Sequence, residues 1–471
     1  MKASLQGLSE ELILEIFDQL LSLCFHSSRK HSARNFLNLC RCCRQFYRLG
    51  LPMAYFSFFE FDRGGTHSNI ARFLCKILEV PSLGGYVKYV TINAEDIHDD
   101  MILLDITQVA SWDPENLSRL RSAVDEAAQS PQDALDWYRS IEEGSWDAWA
   151  TLLLSRLPNL EVLHTTQFGN LMDKDDRPWL LKFLNHAAEL QQQSSKSTLA
   201  LPNLTEVSMY QEGEDGGIRT SEATALLQLD SVKTFSASNY WLHDDVLYWS
   251  GVRKPQFSAT SLDISNACER ALPHQRNFYS RFPLLERFHY NEHLWSISPS
   301  LVSDLMQGLS GVTSTLLDFS LWMDNSDCKE SRDVEKFSIG SLAKFEKLKT
   351  VKVMSWSLTG SALDPNTFLP PANFMMRALP QSLEYLTLVD VTEEEVPSIE
   401  ALIRNKTTYT PHLKELNLYW SILKYPDNKT RSLSETLYKH PGFTREEACE
   451  LWQDCIAKGV KMLVTSCAPP N

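Results

Sequence analysis

The sequence lacks the features that mark several large classes of protein. No apolar run approaches the ~20 residues with which a helix crosses a bilayer, so we expect no association with a membrane. The first residues lead directly into a helix-forming segment and contain no apolar core of a secretion signal. Motifs of common enzymes are also missing: there is no glycine-rich phosphate loop, dinucleotide fingerprint, nucleophile elbow or His-Glu-x2-His pattern. We therefore expect no catalytic residues and no cofactor.

The ten cysteines are scattered, and without a secretion signal we expect reduced thiols in a cytoplasmic or nuclear protein. Four of them (Cys24, Cys40, Cys42 and Cys43) lie close together near His26 and His31, which raises the question of a zinc site. However, no Cys-x2-Cys pair matches another, and a helix would point the last three thiols in different directions. We therefore expect buried thiols and no metal.

Charge is distributed unevenly along the chain. The formal net charge is −15, but residues 1–61 carry a net charge of +2 and the remainder −17. Phosphate binding needs a concentrated basic surface, so the acidic body argues against a nucleic-acid partner. It favours, mildly, a basic target protein, whereas the N-terminal segment would suit an acidic partner.

The N-terminal segment shows a helical apolar pattern. Apolar residues at positions 12, 13, 16, 17, 20 and 21 predict one face of a helix. Ser9 is placed to cap it, and Glu10 and Glu11 suit its positive end. A second helix is predicted over residues 35–47 with Asn35 as its cap, before an apolar run at residues 56–61. Two short helices make only a small core, so a partner or a neighbouring domain must cover their apolar faces.

A second pattern, apolar-x2-apolar-x-apolar, recurs ten times after this segment. Its first residues are Val87, Leu160, Leu204, Val232, Ala259, Leu285, Leu316, Leu348, Leu383 and Leu413. The last seven spacings lie between 26 and 35 residues, which is typical of stacked repeats. We expect each repeat to add one short parallel strand, with a helix or loop returning the chain.

Two segments interrupt the repeats, and a helix follows them. Residues 96–144 predict helices over 114–129 and 131–143, and residues 173–196 predict a helix over 177–193. Residues 212–217 predict a solvated loop without the ligand spacing of a calcium loop. Near the C-terminal end, Thr444 and Glu447 form a capping box for a helix that we expect to close the end of the repeat array.

Three motifs in the N-terminal segment together resemble an F-box of the kind that precedes leucine-rich repeats in fungal proteins. They are Leu-Ser-Glu-Glu-Leu-Ile-Leu-Glu-Ile (8–16), Asn-Phe-Leu-Asn-Leu-x3-Cys-Arg (35–44) and Leu-Pro-x2-Tyr (51–55). Ser9 stands where that family usually has proline, and the link at residues 21–34 is longer than usual. The repeats resemble divergent leucine-rich repeats. The expected fold is therefore α/β: a helical F-box (1–61), a curved leucine-rich-repeat-like solenoid (62–440), and a C-terminal capping helix and tail (441–471).

The F-box resemblance implies a substrate-recognition subunit of an SCF-type ubiquitin ligase. Such a protein docks a Skp-family adaptor, which sits on a cullin, and holds a target protein on its repeats without catalysing a step itself. By motif position, the residues that would meet the adaptor or hold the F-box helices are Leu8, Glu11, Leu12, Ile16, Leu37, Cys43 and Arg44.

Aromatic residues just past the strands predict the target-binding surface, because Trp and Tyr supply much of the binding energy of protein interfaces. We expect Trp322, Trp356 and Tyr419 to be exposed first, and Tyr210 to contribute. Polar residues between the inward positions are candidates for the same surface: His164, Ser208, Asp263, His289, Lys352 and Asn417. Two alternatives stay open, namely a repeat scaffold whose N-terminal helices merely cap it, and an enzyme that uses the concave face.

Overall fold

The computed structural model describes residues 8–26, 36–59, 68–92, 113–166, 178–194, 196–210, 218–238, 240–241, 256–267, 275–293, 299–324, 338–359, 373–391, 395–420 and 445–465. The chain forms two compact units, Met1–Glu212 with Thr224–Val232, and Gly213–Ala223 with Lys233–Asn471. Each unit contains parallel strands that alternate with helices or loops, so the predicted α/β fold class is confirmed. None of the described helices has both the length and the apolar content needed to cross a membrane.

The first unit begins with helices that share a small core of their own. They are α1 (Glu10–His26), a helical turn at residues 36–40, and α2 (Arg44–Ala54). The core consists of Ile13, Phe17, Phe36, Cys40, Phe46 and Leu49. The ring of Phe17 lies edge-on to Phe36 and Phe46, with centroid distances of 5.3 and 5.6 Å. This arrangement encloses one side of α1.

The prediction of one continuous helix over residues 35–47 is wrong. The chain turns at residues 41–43, and Cys43 adopts an extended conformation (φ −156°, ψ 163°) that starts α2. The Cys43 thiol accepts a hydrogen bond from the Phe46 amide (3.4 Å), so it caps the new helix as a serine would. Cys40 is buried and Cys42 is exposed, so the two thiols have different surroundings. The predicted cap Asn35 and the side chains of Cys24, His26 and His31 lie outside the described residues.

Four strands of the first unit form a parallel sheet in chain order: β1 (Ser57–Phe59), β2 (Tyr89–Ile92), β3 (Val162–Thr165) and β4 (Glu206–Met209). The helices between them are α3 (Ser68–Glu79), α4 (Pro114–Ala127), α5 (Pro131–Glu142), α6 (Trp146–Ser155) and α7 (Trp179–Gln192). The predicted helices over residues 114–129, 131–143 and 177–193 are thus confirmed, as α4, α5 and α7. Short 3-10 helices span Pro81–Tyr86 and Thr198–Ala200.

Side chains that satisfy free backbone amides fix where these helices begin. Asp113, Ser130 and Ser145 accept hydrogen bonds from the first turns of α4, α5 and α6, and a proline is the first residue of α4 and of α5. Helix α7 has no such residue of its own. Instead, the Asp147 carboxylate of α6 accepts from the amides of Trp179 and of Leu180 (3.1 Å to the latter), which joins the two helix starts.

The second unit contains eight further parallel strands. They are β6 (Thr234–Ser238), β8 (Ser261–Ala267), β9 (Arg287–His293), β10 (Asp318–Asp324), β11 (Thr350–Met354), β12 (Tyr385–Val391), β13 (Glu415–Trp420) and β14 (Lys461–Thr465). A two-stranded pair, β5 (Ile218–Arg219) and β7 (Tyr240–Trp241), forms a separate sheet by its hydrogen bonding. Helix α8 (Thr220–Leu227) belongs partly to each unit. The return helices are α9 (Gln275–Tyr279), α10 (Pro299–Gly308), α11 (Ser355–Thr359), α12 (Phe374–Ala378), α13 (Val396–Arg404), α14 (Lys406–Tyr409) and α15 (Arg445–Ala457), with a 3-10 turn at Leu309–Val312.

The ten predicted repeats are all present as strands, and the first residue of each pattern is at most 1% exposed. The second residues fall in one register: in the second unit Phe235, Leu262, Phe288, Phe319, Val351, Leu386 and Leu416 lie side by side. Met462 extends this row, because β14 pairs with β13 after α15. The predicted C-terminal helix is present as α15, but it does not close the end of the array, because it returns the chain to a further strand. Residues 212–217, predicted as a loop, lie outside the described residues.

Candidate functional site

Helix α1 places most of its apolar residues in two rows, of which only one is buried. Ile13 and Phe17 are each 2% exposed and belong to the helical core. Leu12, Ile16 and Leu20 recur every four residues and are 48%, 37% and 37% exposed. Residues four apart lie on one helix face, so these three form a continuous apolar surface, which we call the α1 stripe. A stripe of this kind on a short helix is typical of a surface that a partner covers.

Charged residues lie near the start of the α1 stripe. The pKa of the exposed Glu11 carboxyl is lowered, because the carboxyl accepts hydrogen bonds from its own backbone amide and from the Ser9 hydroxyl. Arg44 is exposed at the start of α2, and Arg48 forms an ion pair with Glu10 that links α2 to α1. The helical segment thus offers a partner both apolar and charged groups.

The remaining predicted adaptor residues hold the helices together. Leu8 and Cys43 pack against the helical core, and Leu37 is half-buried on the turn at residues 36–40. Leu20 and Tyr47 were not among the predicted adaptor residues, although Leu20 continues the α1 stripe and Tyr47 is 51% exposed on α2. The i, i+4, i+8 spacing from Leu12 would have identified Leu20.

The second candidate surface is the outer face of the strands in the second unit. The predicted polar residues Asp263, His289, Lys352 and Asn417 occupy the same register position on β8, β9, β11 and β13. Ser320 and Thr387 fill that position on the strands between them. Since successive residues of a strand point to opposite faces, this row lies on the side away from the buried apolar row.

His289 is held between two carboxylates on this face. Its Nδ1 lies 3.8 Å from Asp263 Oδ2, and its Nε2 lies 3.2 Å from Asp318 Oδ2. The carboxylates of Asp263 and then Asp318, which face the two ring nitrogens, raise the pKa of His289 to about 9, so the ring is an imidazolium at neutral pH. Asp318, the first residue of β10, was not predicted, because it lies at an unassigned position of the repeat pattern, between the apolar residues Leu316 and Phe319.

Lys352 and Trp322 complete what we call the strand-face cluster (Asp263, His289, Asp318, Trp322 and Lys352). The Lys352 ammonium lies 4.9 Å from the centre of the Trp322 ring, within the range of a cation–π contact. Burial lowers the pKa of Lys352, while the charge of Asp318 opposes that change. The cluster carries two positive and two negative charges around one aromatic ring, so it differs from the strongly acidic average of the chain.

The expectation that Trp322 and Trp356 are exposed is wrong. Trp322 is 9% exposed because it lies among the cluster's side chains, and Trp356 is 6% exposed because it belongs to α11, which turns back against β12. Tyr419 is half-buried on β13, and Tyr210 is half-buried directly after β4. Four further aromatic residues that follow predicted strands, Tyr240, Trp241, Trp295 and Trp420, have side chains outside the described residues.

The other predicted polar residues have local partners. Asn417 donates to Glu415 (3.0 Å) and to Thr387 (3.5 Å). In the first unit, His164 Nδ1 lies 2.7 Å from the Tyr89 hydroxyl, and burial lowers the pKa of its ring. Ser208 lies beside His164 in register. These residues form an ordered polar surface on the strands.

The geometry gives His289 no role as a base. Both ring nitrogens face carboxylates, so neither is free to take a proton from Ser320, its neighbour on β10. Within the described parts of the chain, no group of three or more His, Cys, Asp or Glu side chains is arranged to hold a metal ion. The strand-face cluster is therefore suited to binding by charge, hydrogen bonds and aromatic contact.

The comparison with known protein families agrees with the repeat pattern. A family model described as a leucine-rich repeat domain matches residues 107–436. One matching solved structure is titled "Crystal structure of TLR13-ssRNA13 complex"; the two chains are 13% identical with a TM-score of 0.25. The match covers 71% of this chain and 54% of that one. No curated protein matches this chain in sequence.

Proposed function

Because the chain belongs to the leucine-rich repeat domain family, we propose that it is a protein-binding scaffold and, more specifically, the substrate-recognition subunit of an SCF-type ubiquitin ligase. In this proposal the N-terminal helices are an F-box that docks a Skp-family adaptor on a cullin, and the strands hold a target protein. The observation that carries the proposal is the α1 stripe: the helices have a core of their own, yet α1 keeps Leu12, Ile16 and Leu20 in solvent.

The proposed adaptor contact divides the predicted residues by role. Leu12 and Ile16 would be covered by the adaptor, and Leu20 would extend the same contact. Glu11 and Arg44 would lie at its polar rim, where charges set orientation and association rate more than affinity. Leu8, Leu37 and Cys43 would hold the helices in place. The ligase role is then one of proximity: the protein raises the effective concentration of the target near the conjugating enzyme.

For the target, the strand-face cluster offers the most varied chemistry of the predicted residues. Lys352 would contact the target directly, Trp322 would hold its ammonium in place, and Tyr419 and Asn417 lie two strands further along the same face. Tyr210 would be an additional contact in the first unit. Trp356 would support target binding only by stabilising the fold, since its side chain is buried in α11.

The proposal is tested by capture of a purified Skp-family adaptor on the full-length chain. We expect Ile16→Glu to weaken capture at least about thirtyfold, because one central interface residue commonly contributes ~2 kcal/mol or more. Leu14→Glu is the matched control: Leu14 is 38% exposed on the same helix but lies about 160° around it from Leu12 and Ile16. Lys352→Ala, in the second unit, should also leave capture unchanged.

The alternative, a repeat scaffold without a ligase role, predicts a different result. The wild-type chain would then not retain the adaptor, although its strands would remain folded. Equal loss in Leu14→Glu and Ile16→Glu would show that the α1 stripe is not the docking surface. Deleting residues 1–61 is a poorer test, since it would also remove β1 from its pairing with β2.

A further inference from the structure

The last strand of the second unit has an open edge. β14 pairs with β13 on one side, and no described element pairs with its other side. The Lys461 amide donates to the Lys414 carbonyl of the β13 side (2.8 Å). In a parallel ladder, alternate residues direct their N–H and C=O groups to the same neighbour, so Met462 and Val464 direct theirs to the open edge. Such unpaired groups are a template for another strand.

Helix α15 leaves two large apolar side chains uncovered near this edge. Trp452 is 52% exposed and Ile456 is 56% exposed, whereas Leu451 and Cys455 are completely buried. Asp454 forms an ion pair with Arg404 of α13 (3.1 Å), the helix of the preceding repeat. Trp452 and Ile456 lie about 160° around the helix from Asp454. They therefore point away from the preceding repeat, toward the space that a further helix would fill.

The open edge is complementary to a second copy of itself. When two β14 strands pair antiparallel about a twofold axis through Leu463, Met462 of each copy lies opposite Val464 of the other. All the N–H and C=O groups that these two residues direct to the edge are then paired. Leu463, which is 45% exposed, meets its own copy, and Lys461 lies opposite Thr465. This register places no like charges opposite each other.

The same twofold axis also provides cover for the exposed apolar side chains of helix α15. An axis perpendicular to the sheet keeps the two α15 helices on the same side of the joined sheets. Trp452 and Ile456 of one copy are then brought toward those of the other. Backbone pairing at β14 and burial of the apolar side chains of α15 are thus both satisfied by a second copy of the chain in this one orientation.

We propose that the chain forms a twofold dimer in which two β14 strands join the sheets edge to edge and the two α15 helices meet beside them. This surface is separate in sequence from the α1 stripe, and the dimer proposal does not rest on adaptor binding. Sedimentation velocity of the full-length chain across a range of micromolar concentrations should show a species of twice the chain's mass.

Charge substitutions at the axis test the register. We expect Leu463→Lys and Leu463→Asp each to weaken the dimer by about a hundredfold, because like charges then face each other in the closest pair. An equal mixture of the two variants should recover the dimer, since Lys then faces Asp. Leu135→Lys is the matched control, as Leu135 is 65% exposed on α5 in the first unit and should leave the dimer intact.

A second variant distinguishes loss of the dimer contact from a local folding defect at β14. Ile456→Glu changes only the exposed helix face and should also weaken the dimer, while its circular dichroism and melting temperature match the wild type. A wild-type chain that sediments as a monomer throughout would overturn the proposal, because another segment or partner would then cover the edge. A dimer that survives both Leu463→Lys and Ile456→Glu would overturn it as well.

Discussion

Equally regular apolar patterns are buried to different extents in the repeat strands and in helix α1. The first residue of each of the ten predicted repeats is at most 1% exposed, whereas α1 buries Ile13 and Phe17 and leaves Leu12, Ile16 and Leu20 partly exposed to solvent. Each repeat strand has neighbouring strands in register and return segments over its apolar side. Among the described residues, those that share a core with helix α1 belong to the turn at residues 36–40 and to α2. An apolar pattern shows which side chains can be buried. The number of neighbouring elements determines which of them are buried.

This difference separates residues that stabilise the fold from residues that are free to bind. A buried side chain contributes its burial to the free energy of unfolding, and removing it leaves a cavity. An exposed apolar side chain contributes little to stability but gains free energy when a partner covers it. Substitutions in the two regions should therefore affect different measurements.

The largest effect is expected in the repeat core. Phe288 is completely buried, stacks on Phe319 with a centroid distance of 6.0 Å, and meets Tyr279 edge-on at 5.6 Å. Phe288→Ala should lower the free energy of unfolding by about 3–5 kcal/mol in urea titrations. Leu284→Ala is the control in the same repeat: it is 52% exposed and should cost no more than about 0.5 kcal/mol. Similar losses at both positions would contradict the comparison.

A smaller effect is expected in the helical core beneath the α1 stripe. A Cβ atom on Gly50 would collide with the Cys40 sulfur and come within 3.0 Å of Phe17. Gly50→Ala should therefore lower the free energy of unfolding by about 1–3 kcal/mol, and Cys40→Ala in the same chain should restore part of it. Gly311→Ala is the control, since nothing lies within 4 Å of its added Cβ. A stable Gly50→Ala chain with intact helices would show that this core is loosely packed.

The contact between α6 and α7 should respond to pH, unlike the apolar cores. Burial raises the pKa of Asp147 from 3.8 to about 7, against the opposing hydrogen bonds from Leu180 and Trp179. The folded state therefore holds this proton more tightly than the unfolded state, so stability should fall as pH rises between about 4 and 7. Asp147 is half-buried, so water screens part of this effect. We therefore expect the free energy of unfolding to fall by about 2 kcal/mol over this pH range. Thermal unfolding of Asp147→Asn should show a flatter pH profile; an unchanged profile would contradict this account.

The smallest effect concerns two histidines on outer strand faces. The pKa of His289 is raised to about 9 by Asp263 and Asp318, whereas burial lowers the pKa of His164. His289 therefore adds stability that is fully present below its unfolded pKa of about 6.5 and lost as pH rises through about 9. NMR titration should show His289 titrating well above His164, and Asp318→Asn should lower the His289 value. Equal pKa values for His289 and His164 would mean that the carboxylates of Asp263 and Asp318 do not hold the His289 ring.

Much of the fold follows from the sequence because period-2 patterns and helix caps are local signals. The spacing of Leu285, Leu316 and Leu348 identifies neighbouring strands, and the observed pairing keeps that register. The break at Cys43 could not be predicted in the same way. Its thiol caps α2, a role more typical of serine or aspartate, and residues 36–47 carry an apolar pattern that suits one helix.

The site was less predictable than the fold, since exposure depends on contacts between distant residues. Lys352 and Trp322 lie on adjacent strands, so only the register shows that one covers the other. Asp318 joined the cluster through its contact with His289, which no spacing along one strand reveals. By contrast, the shared row of Asp263, His289 and Lys352 follows directly from strand alternation, and the structure has it.

The most direct test compares two adjacent residues of α1. Leu12 is 48% exposed and Ile13 is 2% exposed, so the helix presents one to solvent and the other to its core. Adaptor affinity and the free energy of unfolding should be measured for Leu12→Ala and Ile13→Ala. We predict that Leu12→Ala loses adaptor affinity with a stability change within about 0.5 kcal/mol. Ile13→Ala should lose about 2–5 kcal/mol of stability, while its folded fraction binds the adaptor normally. Unchanged adaptor affinity in Leu12→Ala would contradict the proposal that the α1 stripe is a docking surface.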